Sequence, residues 1–420
     1  MKLIFPLVLT SLAALSCNNA TSTSNNTTTT DSLNKSVTTE KPNTNYKPAF
    51  EGQTRIAAVK TETGYEVKVI TESLKSPWGI AVLPDGRLLI TEKKGTLRIV
   101  DPASGTVSEK IEGVGEVDDK GQGGLLGLAL DPDFATNRMV YWVFSEKVDK
   151  GNHTAVAKGK LAEDEKSIQN KQVIYRALPT YDGDKHYGGR IVFAKDGNLF
   201  ISTGERSDKE TRPQAQDLKS ALGKILRITK DGKPAAGNPF EGNKDALPEI
   251  YSYGHRNTQG LAFHPETGTL WNNEFGPLGG DELNLIKAGV NYGWPTITYG
   301  LEYSGDAIGN PPIQQKEGLE QPVYYWDPVL SPSGMTFYSG TNIPEWKNNL
   351  FLAGLNSYHI SRLVIKDNKV VGEEHILDKE GKQRFRDIAQ GKDGALYAIT
   401  DGGRLYKIGG TISLTPYLKK

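Results

Sequence analysis

The sequence has one cysteine, Cys17, and it lies at the end of the first apolar run. Disulfides and thiolate chemistry are therefore excluded from the body of the chain. Net charge is missing too: 50 Lys and Arg balance 50 Asp and Glu. A nucleic-acid role resting on a broadly basic surface does not fit that balance. Past residue 15 no run is long and apolar enough to span a bilayer. Helical patterning is equally scarce. Gln216 to Gly223 has room for a turn or two, and such pieces fit only as insertions.

What is present begins with an export signature over residues 1–17. Lys2 precedes an apolar run from Leu3 to Leu15, then Ser16 and Cys17. A lone cysteine after such a run and a small residue resembles a bacterial lipoprotein cleavage site, with Cys17 the lipidated N-terminus. An ordinary signal peptide with an incidental cysteine is the alternative. The first reading places the protein in the periplasm or on the cell surface, attached to a membrane by its lipid anchor alone. Residues 18–50 are rich in Ser, Thr and Asn with little to bury, and are expected to form a disordered tether. The folded body is expected over 51–410, with 411–420 a C-terminal tail.

Within the body, 46 glycines and 22 prolines are scattered among short apolar runs, which favours an all-β fold. One unit repeats. Trp78 to Ala81 leads through Pro84-Asp85-Gly86 to Leu88–Thr91, and Arg386 to Ala389 leads through Lys392-Asp393-Gly394 to Leu396–Thr400. Related units start at Leu126, Gly189, Gly260 and Gly334. Turn residues between two alternating apolar runs specify a hairpin. Six such units, spaced by about 50–75 residues, predict a six-bladed β-propeller of four-stranded antiparallel blades. A two-sheet sandwich does not predict a repeat at this spacing.

The third unit, His186 to Glu205, carries polar ends that its hairpin does not need. Other polar clusters flank the inner strands: Gln122 in a glycine-rich loop, Arg256-Asn257, the run Glu274 to Glu282, and Arg384 with Arg386. If the repeat is a propeller, the same edge of successive blades brings Gln122, His186, Arg256, Asn257, Arg384 and Arg386 around one axis. Loops gathered on one face of a rigid scaffold are where ligands bind.

Several runs then acquire a joint meaning. His186-Tyr-Gly-Gly-Arg190, Tyr253-Gly-His-Arg-Asn257, Gln259-Gly-Leu-Ala262, Gly276-Pro277 with Gly-Gly-Asp-Glu282, and Asn291-Tyr-Gly-Trp-Pro295 follow one another in order. Together they resemble the soluble quinoprotein glucose/sorbosone dehydrogenases, most closely the bacterial aldose sugar dehydrogenases, from about Leu74 to Ile408. The resemblance implies a six-bladed propeller that binds pyrroloquinoline quinone (PQQ) and calcium and oxidises the anomeric hydroxyl of aldoses to lactones. It implies that the carbonyls of Gly276 and Pro277 ligate the calcium. Such an oxidation needs an electron acceptor, with a quinone pool and a small cytochrome both open. One position departs from the pattern: Asn356 stands where the family usually has a lysine near the quinone.

The residues suit that chemistry. Hydride loss from a sugar hemiacetal needs a base, and an imidazole titrates in the right range. His186 is the candidate, with Glu205 to orient it and Arg256 to stabilise developing charge. Arg256, Arg384 and Arg386 offer planar forks to a tricarboxylate, while Gln122, Asn257 and Asn356 offer hydrogen bonds. Asp281 and Glu282 suit either a second calcium or blade-stabilising hydrogen bonds. Other readings stay open: Glu205 pairing with Arg206 or Arg190, Arg384 and Arg386 in salt bridges, and Tyr292 and Trp294 as core. Two further function classes keep the scaffold, a non-catalytic propeller that binds a glycan or protein and a calcium-dependent lactonase. The insertions around 205–216 and 300–320 carry no readable code for the sugar.

Overall fold

The computed structural model describes residues 35–378 and 380–409. Cys17, the apolar run before it, the tether as far as residue 34 and the expected tail lie outside the described residues. Among the described residues no helix is long and apolar enough to cross a membrane.

Six antiparallel sheets form the body. In chain order, the inner strands are Pro77–Val82, Leu125–Leu130, Ile191–Phe193, Thr258–Phe263, Pro332–Phe337 and Phe385–Gln390. Each begins one of the six repeats read from the sequence. Every inner strand contacts the inner strand of the next blade, and the sixth contacts the first, so the blades close into a ring. The six-bladed propeller is thereby established. Five blades have four strands; the first has three, with isolated bridges Leu97–Ile111 and Val100–Val107 along its outer edge.

The core is divided into wedges. Six buried apolar clusters lie one between each pair of adjacent blades. Middle strands therefore bury both faces: Leu396–Thr400 and Leu350–Gly354 are buried along their whole length. This explains why those runs are continuously apolar rather than alternating. The ring closes with a strand from the other end of the chain. Glu66–Thr71 pairs with Leu405–Gly409 and completes the sixth blade.

Crowding at the axis dictates small residues there. A Cβ on Gly334 would lie 1.6 Å from Asp387 Oδ1, and one on Gly127 would lie 2.5 Å from the Gly189 carbonyl. Asp387 itself accepts from the Ile80 backbone at 3.0 Å and pairs with Arg190 at 2.7 Å. Arg190 also donates to the Gln259 carbonyl and lies over the Trp78 ring. One buried ion pair thus links blades one, three, four and six.

The tether expectation needs correction for residues 35–50. Ser36 bridges Ala57, the backbone N–H groups of Asn43 and Thr44 donate to the Asp327 carboxylate at 2.7 and 2.9 Å, and Arg55 donates to the carbonyls of Thr38 and Glu40. A polar segment that cannot build a core is here held by hydrogen bonds to one already formed.

Candidate active site

A cavity of about 560 Å³ opens at the end of the axis where the connections into the inner strands gather. Of the residues singled out from sequence, Gln122, His186, Gly276, Pro277, Asp281, Asn356, Arg384 and Arg386 line it. Glu205, Arg256 and Asn257 are buried just behind its wall, and Glu282 stands apart.

His186 sits at the cavity wall with φ 48°, a left-handed conformation uncommon for a residue with a Cβ. Three contacts hold it there. Its backbone N–H donates to Gln122 Oε1 at 2.9 Å. Its Nδ1 meets Glu205 Oε1 at 2.5 Å. Next to it, the Gly188 N–H donates to Asn257 Oδ1 at 3.0 Å. Glu205 is itself fixed, because Oε1 also accepts from the Ser207 N–H at 2.9 Å and its own N–H donates to the Arg256 carbonyl. Nδ1 is therefore committed, which leaves Nε2 for whatever occupies the cavity. Burial lowers the His186 pKa to about 4, helped by the Arg256 charge and opposed by Glu205. The imidazole is neutral at pH 7, as a proton acceptor must be.

The alternatives left open for Glu205 are resolved by this arrangement. Arg190 is taken by Asp387, and Arg206 donates to Asn152 and to the carbonyls of Lys185 and Gly183. Gln122 and Asn257, expected as ligand contacts, each spend their side-chain oxygen on the His186 loop. The Asn257 amide nitrogen and Glu205 Oε2 have no protein partner.

Arg256 Nη1 donates to the Phe275 carbonyl at 3.1 Å and the Gly276 carbonyl at 2.6 Å. Its backbone N–H donates to Glu274 at 2.6 Å, and its guanidinium lies 5.2 Å from the Trp294 ring centroid. Trp294 and Tyr292 are buried, as their core reading required. Arg256 Nε has no partner. Its charge reaches His186 while its fork holds the turn that carries Pro277.

That turn is clamped from below. Asp281 accepts from the Gly276 N–H at 2.8 Å and from the Ser331 N–H at 2.6 Å. Burial raises its pKa to about 7 despite those two donors. With both oxygens engaged, Asp281 fits the hydrogen-bonding alternative read from sequence. Glu282 lies opposite Glu274 across the strand pair and accepts from Asn284. Burial and the neighbouring Glu274 push its carboxyl well up.

Across the cavity, Arg384 and Arg386 share Asp401, at 2.9 Å and 2.7 Å. Arg384 also donates to Asn356 Oδ1. The salt-bridge alternative thus holds for both arginines, yet both still line the cavity. Sequence reasoning passed over Asp401 and Lys93. Lys93 lines the cavity beside Arg386 and donates to the Gly121 carbonyl at 2.5 Å. Burial lowers its pKa, and Arg386 adds to that. The Thr-Asp-Gly-Gly turn holding Asp401 and the doubled lysine after Glu92 looked like ordinary hairpin ends.

Comparison with known proteins agrees with this geometry. The profile of the glucose / sorbosone dehydrogenase family matches residues 74–407. The aldose sugar dehydrogenase YliI of Escherichia coli is 41% identical over 346 residues, 81% of this chain and 92% of that one. The apo-form crystal structure of the soluble aldose sugar dehydrogenase from Escherichia coli superposes with a TM-score of 0.78 at 40% identity, over 82% of this chain and 99% of that one. The PQQ-bound aldose sugar dehydrogenase from Streptomyces coelicolor superposes with a TM-score of 0.68 at 33% identity, over 83% and 99%. Repeat, site and relatives converge, and the chain belongs to the glucose/sorbosone dehydrogenase family.

Proposed function

We propose that this protein is a PQQ- and calcium-dependent dehydrogenase that oxidises the anomeric hydroxyl of aldoses to lactones. The observation that carries the reading is the neutral His186, locked by Glu205 at the wall of a cavity whose opposite side is cationic. The cavity suits a flat polyanion. Lys93, Arg384 and Arg386 face it, and only Asp281 and Asp401 supply carboxylates, both already engaged. When bound, PQQ supplies an acceptor for the hydride that leaves the anomeric carbon. Calcium takes oxygen ligands; Gly276 and Pro277 line the cavity, and their carbonyls would provide two; there it would act as a Lewis acid. The Gly276 carbonyl would share its second lone pair with Arg256.

In this reading His186 Nε2 accepts the hydroxyl proton, and Glu205 stabilises the imidazolium that results. Burial, helped by Arg256, keeps the imidazole neutral beforehand, and Arg256 holds the Gly276–Pro277 turn. A calcium lactonase would need a cage of carboxylates at the cavity, which these residues do not supply. The export signature supports a periplasmic or surface lipoprotein anchored through Cys17. The electron acceptor would be a quinone pool or a small cytochrome.

The test is reconstitution with PQQ and calcium, an artificial acceptor and a panel of sugars. Turnover of at least one aldose is expected. No turnover, together with no reduced-quinone spectrum, would sink the proposal. His186→Ala should lower kcat by about 10²–10⁴-fold while cofactor binding persists. Asn356→Lys should tighten PQQ binding, because it adds a cation beside Arg384; unchanged stoichiometric binding would show that Lys93 and the arginines already suffice.

A further inference from the structure

We propose that His359, His375 and Asp378 form a binding site for a divalent transition-metal ion of the zinc class. The site lies in the fifth blade and is independent of the cavity reading. His359 directly precedes the strand Ile360–Lys366, and His375 lies in its outer neighbour Lys369–Ile376. The pairing of Ile360 with Ile376 and Ser361 with His375 brings the two rings together. They stack with centroids 3.6 Å apart at 18°. One donor atom from each ring and one carboxylate oxygen of Asp378 all lie within 4.8 Å of one another.

The second observation concerns His359 itself. Only 6% of the residue is exposed. Its Nδ1 meets the Ser357 carbonyl at 3.1 Å, and a carbonyl can only accept, so Nδ1 carries the proton. The lone pair is thereby fixed on Nε2, which is buried without any partner. A neutral ring with a backbone carbonyl behind it and a free nitrogen ahead is how a metal-binding histidine is prepared. Near His375, Glu373 Oε1 lies 3.6 Å from Nε2, an ion-pair contact rather than a hydrogen bond. Glu373 is held in turn by Tyr324, Trp326 and Ser361.

Two imidazoles and one carboxylate favour zinc, copper or nickel over calcium, which takes oxygen ligands. Donors held tetrahedrally at zinc–nitrogen distances of about 2.0–2.1 Å lie about 3.3–3.4 Å apart. The cluster, whose donors lie within 4.8 Å of one another, must therefore draw in by as much as about 1.4 Å, and the rings must unstack. The ring of His375, less buried than that of His359, would supply that movement, while His359 stays fixed.

The test uses the untagged protein in excess calcium, so that oxygen sites are filled. Equilibrium dialysis against Zn2+ with elemental analysis, and against Co2+ with visible spectroscopy, should find one tightly held ion per chain with a nitrogen-ligand cobalt spectrum. His359→Gln and His375→Gln should each weaken binding at least tenfold. His375→Gln, nearer solvent, serves as the informative variant if His359→Gln fails to fold. Metal-free wild-type protein after dialysis would overturn the proposal. So would full binding retained in His375→Gln, since the ion would then sit elsewhere, for example at His186.

Discussion

His186 makes the site's acid–base behaviour predictable in sign. A solvated imidazole titrates near 6.5, whereas burial and Arg256 bring this one to about 4. The acid limb of kcat/KM should therefore lie near pH 4. Arg256→Met removes a cause of the depression and should move that limb up, while Glu205→Gln removes an opposing influence and should move it down with a loss of kcat. Stability follows the same linkage. As pH falls from about 6.5 to 4 the unfolded chain takes up the proton before the folded one does, so stability falls across that window by on the order of 3 kcal/mol. Denaturant midpoints measured against pH should flatten in His186→Gln. The histidine and its glutamate were legible in sequence because they interrupt a repeat. Asp401 and Lys93 were not, because their own neighbours look like ordinary turns and only the folded chain brings Asp401 back onto Arg384 and Arg386 of its own blade and Lys93 onto the Gly121 loop of the next.

At the scale of elements, the segment from Gly276 to Asp281 is a turn aimed by its own next strand. Asp281 occupies both donors that hold it. Asp281→Ala leaves the Gly276 and Ser331 N–H groups without acceptors and should cost about 1–3 kcal/mol. Calcium-dependent thermal stabilisation should weaken in the same variant, as a melting series with and without the ion will show. The six hairpins were readable because turn chemistry and alternation are local. The hold on residues 35–50 was not, because composition cannot reveal a partner such as Asp327 nearly three hundred residues away. The missing fourth strand of the first blade was equally hidden: its outer edge is made of single bridges that leave no alternating run.

For the whole molecule, the pairing of Glu66–Thr71 with Leu405–Gly409 adds a second closure to the contact between the first and sixth inner strands. Removing residues before 72 should expose one edge of the sixth blade. The melting transition should then broaden and its midpoint fall, which calorimetry can read. The Arg190–Asp387 pair has a different consequence. If this bridge across the ring also closes the axis to small molecules, one mouth serves all traffic. If the proposed chemistry holds, sugar and electron acceptor must use that mouth in turn, and lactone must depart before the acceptor arrives. Initial-rate plots at several acceptor concentrations should be parallel lines, and high sugar should inhibit by occupying the doorway the acceptor needs.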